Sequence, residues 1–259
     1  LWRELARWQT CDIVYCCGED RQPVTAADGA FLLTAENGLP VQDEKGSFVL
    51  DEEAVTAYVQ SLAEEYDGYG RTRQFHSTRG DVITIDGGTY GSKMDRKKET
   101  AYLLEHLLDP GVHTGTPQSH IPSYEREAFC YGKNDIGDTY IEVDMTEQKM
   151  YYYEKGVLKL ETEIVTGNMR RRMGTPEGVN FVYNKQKNRV LRGPGYASPV
   201  KFWMPVKGGI GIHDAGWRKE FGGDIYQTAG SHGCINTPKD KMEELFDCVQ
   251  IGTPVVMFY

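Results

Sequence analysis

No apolar run in this 259-residue chain approaches the ~18 residues needed to cross a bilayer, and no signal peptide opens it. The first residue is Leu1 rather than Met, so the chain is expected to be a piece of something longer, with any anchor lying upstream. Positive charge is in deficit. A formal net charge of −9 argues against a general affinity for nucleic acid or for an anionic membrane. The cysteines are Cys11, Cys16, Cys17, Cys130, Cys234 and Cys248. If Cys234 stays reduced an odd number remains, so the even disulfide framework of a small secreted domain is not indicated. The spacing of Cys11, Cys16 and Cys17 lacks a second ligand pair or a nearby His, so no metal site and no cofactor are expected there. What is present is a hydrophobic share of 39% with 11% aromatics, enough for packed cores in two domains of ordinary size.

The stretch with the clearest chemistry is Ser231-His232-Gly233-Cys234-Ile235-Asn236, together with Gly211-Ile212-His213-Asp214 upstream. A free thiol titrates near ~8.5, so an imidazole must take its proton before it is a strong nucleophile at neutral pH. A small residue beside the cysteine lets a substrate carbonyl approach the backbone, whose N–H groups can stabilise an oxyanion. Strand alternation puts Ile210 and Ile212 on one face and Gly211 and His213 on the other.

Seventeen residues separate His213 from Ser231, and Cys234 follows His232 by two. This pattern resembles the signature of the L,D-transpeptidases, the YkuD-type catalytic domain. Thr175-Pro176-Glu177-Gly178 is similar to an element that recurs in that family just before a strand. The resemblance implies Cys234 as nucleophile and His213 as general base. The residue after the histidine, here Asp214, offers a backbone carbonyl to the other ring nitrogen, and its carboxylate is an alternative for the same task. His232 is the rival base. Gly233, Cys234 and His232 are expected to supply oxyanion N–H groups, and Ser231 and Asn236 to hold the loop. Trp217 stands where the family has an aromatic beside the cleft. Tyr226 is a candidate for the pocket wall, with Tyr196 and Trp203 as weaker ones. Implied partners are peptidoglycan stem peptides, with carbapenem β-lactams as covalent inhibitors. The implied location is the outer face of the cell, associated with the wall, and membrane contact would come only through the missing N-terminal anchor.

Taken in order, residues Leu1 to Thr10 have the spacing of a helix end, and Ile13-Val14-Tyr15 reads as a strand. A helix is predicted from Asp51 to about Tyr66, with Asp51 as cap and Val55, Tyr58, Val59, Leu62 and Tyr66 as its apolar stripe. Phe75 and Val82 to Ile85 suggest short strands. A second helix is predicted from about Asp95 to Leu108, with Leu103, Leu104, Leu107 and Leu108 inward, stopped by Pro110-Gly111. This arrangement around Gly87-Gly88-Thr89-Tyr90-Gly91 resembles the peptidoglycan-binding domain that precedes many Gram-positive L,D-transpeptidase domains. Residues 113–137, with Pro117, Pro122 and several Gly, Ser and Thr, read as a linker. His113 and His120 in it are given no role.

From Thr139 the pattern is of strands: Thr139 to Met145, Met150 to Tyr153 paired with Val157 to Val165, Val179 to Tyr183, Val200 to Met204 and Ile210 to His213. A last helix is expected with Thr237 as N-cap, Pro238 at its first position and Met242, Leu245, Phe246 and Val249 buried. Arg170, Arg171 and Arg172 read as a solvated loop. The expected architecture is therefore an α+β N-terminal domain over residues 1–112, the linker, and a mainly β catalytic domain over 138–259, a YkuD-like β-sandwich with one C-terminal helix.

The rival readings are an L,D-carboxypeptidase, a wall-binding protein without turnover, a papain-like or sortase-like peptidase, and a zinc protein using His213, His232 and Cys234. A papain-like enzyme has its Cys before its His, and a sortase has a late Arg after the Cys, which is missing here. A zinc site lacks a fourth ligand.

Overall fold

A computed structural model describes residues 10–25, 31–193 and 196–259. The helix end expected at the start of the chain lies outside the described residues, except for Thr10, which opens the first strand. The chain forms two compact units, one of residues 1–68 with 91–135, the other of residues 69–90 with 136–259.

In the first unit β1 (Thr10–Cys17) lies between β2 (Asp20–Thr25), antiparallel, and β6 (Gln118–His120), parallel. Helix α1 (Glu52–Tyr66) starts where Asp51 accepts a hydrogen bond from the Ala54 amide at 3.0 Å, and its expected stripe is buried throughout. Helix α2 (Arg96–His106) is capped by Asp95. Its buried positions are Leu103 and, unexpectedly, Glu99. The carboxylate of Glu99 accepts from His120 Nε2 at 2.6 Å and from the Ser123 amide at 2.7 Å. His120 also stacks on Tyr102 at 3.6 Å. Residues 113–135 thus carry structure: β6 extends the first sheet, and β7 (Tyr124–Arg126) pairs with β5 (Lys93–Met94).

The second unit opens with the hairpin β3 (Arg73–His76) and β4 (Val82–Ile85), which the sequence places in the middle of the N-terminal domain. Specific bonds hold it to the strands that follow. Glu142 accepts from the Thr78 amide and hydroxyl at 2.8 and 2.6 Å, and Arg79 reaches Asp144 at 3.1 Å. Gly88 lies so close to Val179 that a Cβ there would sit 1.9 Å from the Val179 carbonyl oxygen, so a side chain is excluded by contact as well as by its φ of 98°.

One sheet has the order β10 (Val157–Glu163), β9 (Lys149–Glu154), β8 (Tyr140–Asp144), β16 (Pro254–Phe258), β11 (Gly178–Phe181). The other runs β12 (Gln186–Gly193), β13 (Tyr196–Lys207), β14 (Ile210–Asp214), β15 (Ile235–Thr237). Their inner faces meet in one core: Ile141, Val143 and Met257 come from the first, Phe202, Met204, Ile212 and Ile235 from the second. A short helix α3 (Ile225–Ala229) precedes β15, and α4 (Lys239–Cys248) adds Met242, Leu245 and Phe246 to the core. This is the sandwich expected. The start of α4 differs: Pro238 is the cap, because Thr237 is committed to β15, paired with Asp214.

Burial pushes the Glu99 carboxyl up, but the bonds from His120 and Ser123 outweigh it and hold the group below the usual carboxylate range. A depressed carboxyl stabilises the fold above its unfolded pKa of ~4.3 and loses that contribution as pH falls through the folded value. Glu99→Gln is therefore expected to lower the thermal midpoint at pH 7 and to flatten its decline below about pH 4. Thermal melts across pH 2–7 check this, and parallel curves for the two proteins would contradict it.

Candidate active site

The site grows from the pairing of β14 with β15. These strands are parallel, with Ile212 opposite Ile235 and His213 opposite Asn236. Ile212 and Ile235 are fully buried in the core, so Gly211, His213 and Asn236 share the opposite face, and Cys234 directly precedes β15. His213 thus has Asn236 directly beside it. His213 and Cys234 both line a cavity of about 180 Å³, closed also by Leu191, Ser198, Trp217, Arg218, Ser231 and His232. Cys234 and Leu191 border a second cavity as well, about 570 Å³, with Tyr183, Arg189, Arg192 and Trp203 on its wall. Cys234 therefore borders both cavities.

His213 is 4% exposed, and its ring lies between Trp203 at 5.9 Å and Trp217 at 5.8 Å, centroid to centroid. Nδ1 lies 2.9 Å from the Asp214 carbonyl oxygen. A carbonyl only accepts, so Nδ1 carries the proton and Nε2 is left with a lone pair. Nε2 faces Asn236 Nδ2 at 3.1 Å. Burial pushes the imidazole below its ordinary value, with Arg218 acting in the same direction, against the Asp214 carbonyl and carboxylate. Burial pushes the Cys234 thiol up, partly offset by the Gly211 amide. Both groups rest neutral. The thiol is directed to the Gly209 carbonyl at 3.8 Å.

The Asp214 carboxylate is engaged elsewhere. It accepts from the buried Phe202 amide at 2.7 Å and so anchors β13 to β14. The two offices that the sequence left open for this residue are thus split, with the carbonyl on the imidazole and the carboxylate on the sheet.

Gly233, at φ 113°, forms a turn that only glycine adopts without strain. Its amide donates to Ser231 Oγ at 3.0 Å, so it is not free for an oxyanion, while Ser231 Oγ donates to the Cys234 carbonyl at 2.6 Å. Thr175 donates to the Gly233 carbonyl at 2.8 Å and accepts from the Gly167 amide at 2.9 Å, which explains the Thr-Pro-x-Gly element. His232 is exposed on the cavity rim. Trp217, 53% exposed, offers a ring face to a ligand beside the imidazole. Tyr226 lies on α3, away from the lining of both cavities, and the side chain of Tyr196 is outside the described residues. Sequence reasoning missed Arg218. Its Nε donates to Asn236 Oδ1 at 2.7 Å and its Nη2 to the Ala229 carbonyl at 2.9 Å. The one available signal was its position directly after Trp217. Among the described residues no cluster of His, Cys, Asp and Glu is arranged to hold a metal ion.

A buried imidazole of defined tautomer and a thiol lining the same cavity of a β-sandwich are the groups that thiol acyl transfer requires. Comparison with known proteins gives the family. Residues 138–257 match the YkuD model, described as an L,D-transpeptidase catalytic domain, and residues 34–111 match one described as "Putative peptidoglycan binding domain". A Cys-to-Ser mutant of Enterococcus faecium L,D-transpeptidase is 34% identical, with 99% of each chain covered and a TM-score of 0.83. The Ldtfm–avibactam carbamoyl enzyme is also 34% identical, covering 100% of this chain and 98% of the other, with a TM-score of 0.82. The E. faecium catalytic domain acylated by ertapenem is 51% identical over 47% of this chain and 98% of its own, at a TM-score of 0.43. No curated protein matches. The chain belongs to the L,D-transpeptidase family.

Two outcomes are expected. Because burial keeps His213 neutral, the acid limb of ertapenem acylation should lie below the ordinary imidazole value of ~6.5, and a limb above it would contradict this tautomer and burial. Asp214→Ala strands a buried amide and should cost about 1–3 kcal/mol in chemical denaturation, while acylation of the folded fraction stays within about threefold of wild type. A loss of several hundredfold would return the catalytic office to the carboxylate.

Proposed function

We propose that this chain forms 3→3 peptidoglycan cross-links through a thioester on Cys234. The observation that carries the reading is that Cys234 and His213 line one cavity, with the ring proton held on Nδ1 by the Asp214 carbonyl so that Nε2 is the accepting nitrogen. The donor is a tetrapeptide stem. Cys234 Sγ attacks the carbonyl of its third residue, an L-centre, as the thiol proton passes to His213 Nε2. The Cys234 amide, left over when Gly233 bonds to Ser231, supports the developing oxyanion. The C–N bond then breaks, and His213 returns the proton to the departing D-Ala amine. In the second step the side-chain amine of a neighbouring stem's third residue attacks the thioester. Its proton goes to His213, and the thiolate leaves and is reprotonated.

Two cavities that share Cys234 in their walls suit a donor and an acceptor that approach separately. Water in the acceptor's place would make the enzyme an L,D-carboxypeptidase. The avibactam carbamoyl enzyme of the similar protein supports covalent capture of an activated carbonyl here, and carbapenem β-lactams are the expected inhibitor class. Peptidoglycan as substrate puts the protein at the outer face of the cell, in contact with the wall. No described helix is long and apolar enough to cross a membrane.

Mass analysis of defined stems tests the reaction. A tetrapeptide donor with an amine acceptor should yield a cross-linked dimer and free D-Ala, and Cys234→Ser none. Release of D-Ala without dimer would identify the carboxypeptidase, and turnover by Cys234→Ser would refute the thioester.

A further inference from the structure

We infer that Arg218 is a positioning residue that fixes the proton-accepting tautomer of His213 through the side-chain amide of Asn236. The inference rests on the reading of His213 as the base and extends it by one residue. An amide side chain has two ends of similar shape and opposite polarity, so its orientation must be set by its partners. A guanidinium has donors only and does not lose its charge in proteins. The end of Asn236 that meets Arg218 Nε at 2.7 Å must therefore be Oδ1. That leaves Nδ2 to face His213 Nε2 at 3.1 Å, where it donates to the lone pair. With the ends exchanged, two donors would oppose each other at Arg218, and Oδ1 would favour a proton on Nε2, the wrong place for a base.

The rest of the amide is not free to adjust. The Asn236 backbone is pinned by two 2.9 Å bonds with Val165, and β15 is held in register against β14. Arg218 is itself anchored by the Ala229 carbonyl at 2.9 Å, so its fork spans the two sides of the catalytic loop. The chain Arg218–Asn236–His213–Asp214 then sets the ring at both nitrogens, one by an amide donor and the other by a carbonyl acceptor. When the thiol turns toward Nε2 it replaces the Asn236 N–H at that lone pair. The positive charge beside the ring also favours the neutral imidazole.

The test is nitrogen NMR of the His213 ring in the full chain, paired with the rate of ertapenem acylation. In the wild type the signals should be those of a neutral ring protonated at Nδ1. Arg218→Met should give a mixture of the two tautomers and slow acylation by about 10- to 100-fold, the usual loss when an orienting partner is removed. Arg218→Lys should fall between, since an ammonium can meet Oδ1 but lacks the fork. Asn236→Asp presents a carboxylate oxygen to Nε2, should draw a second proton there while Nδ1 keeps its own on the Asp214 carbonyl, and keeps the test available if Arg218→Met does not fold. A ring that stays fully Nδ1-protonated in Arg218→Met, whatever its thermal midpoint or rate, overturns the inference and leaves Arg218 as a loop clamp. A His213→Gln variant that acylates at the wild-type rate would instead overturn the base assignment, so the two failures are told apart.

Discussion

The parallel pairing of β14 with β15 is the constraint on which the site depends. A one-residue slip would turn Cys234 and Asn236 into the core and bring Ile235 to the cavity. The slip is opposed by the fully buried Ile212 and Ile235, which have no other place to go. Apolar burial on one face thus fixes the positions of the polar atoms on the other. The catalytic geometry is a consequence of packing, and no side chain in the cavity has to enforce it alone.

Around that pair, hydrogen bonds remove the remaining freedom of the loop before Cys234. The Ser231 amide is tied to the Thr166 carbonyl, and the Gly233 carbonyl to Thr175. Ser231 Oγ bridges the Gly233 amide and the Cys234 carbonyl. Each bond is a modest net contribution of about 1 kcal/mol, but their targets are buried backbone groups that are costly to leave unpaired. Such a loop is preorganised, so little reorganisation accompanies formation of the tetrahedral centre.

Much of this was legible in the sequence for physical reasons that can be named. Helix α1 declared itself because its stripe and its Asp51 cap agree, and β8 because Ile141, Val143 and Met145 alternate and are all buried. The Ser-His-Gly-Cys stretch and the distant His213, paired in the sequence by the demands of thiol chemistry, line one cavity. Strand β12 was not: Gln186 to Gly193 is a mostly exposed, charged edge strand paired with β13, with little apolar alternation to reveal it. The contacts of Thr78 and Arg79 with Glu142 and Asp144 span more than sixty residues, and no local pattern announces them. Arg218 and the Glu99–His120 pair were hidden for the same reason. A buried charge is recognised by its partner, and the partner lies elsewhere in the chain.

The central claim is that one thiol is made nucleophilic by one imidazole on the neighbouring strand. Peptide mapping of the protein after brief exposure to a carbapenem, in the wild type and in His213→Gln, tests it most directly. The account predicts a single adduct on the Cys234 peptide of the wild type and almost none in the variant. An adduct that forms as fast without His213, or that maps to another cysteine, would contradict it.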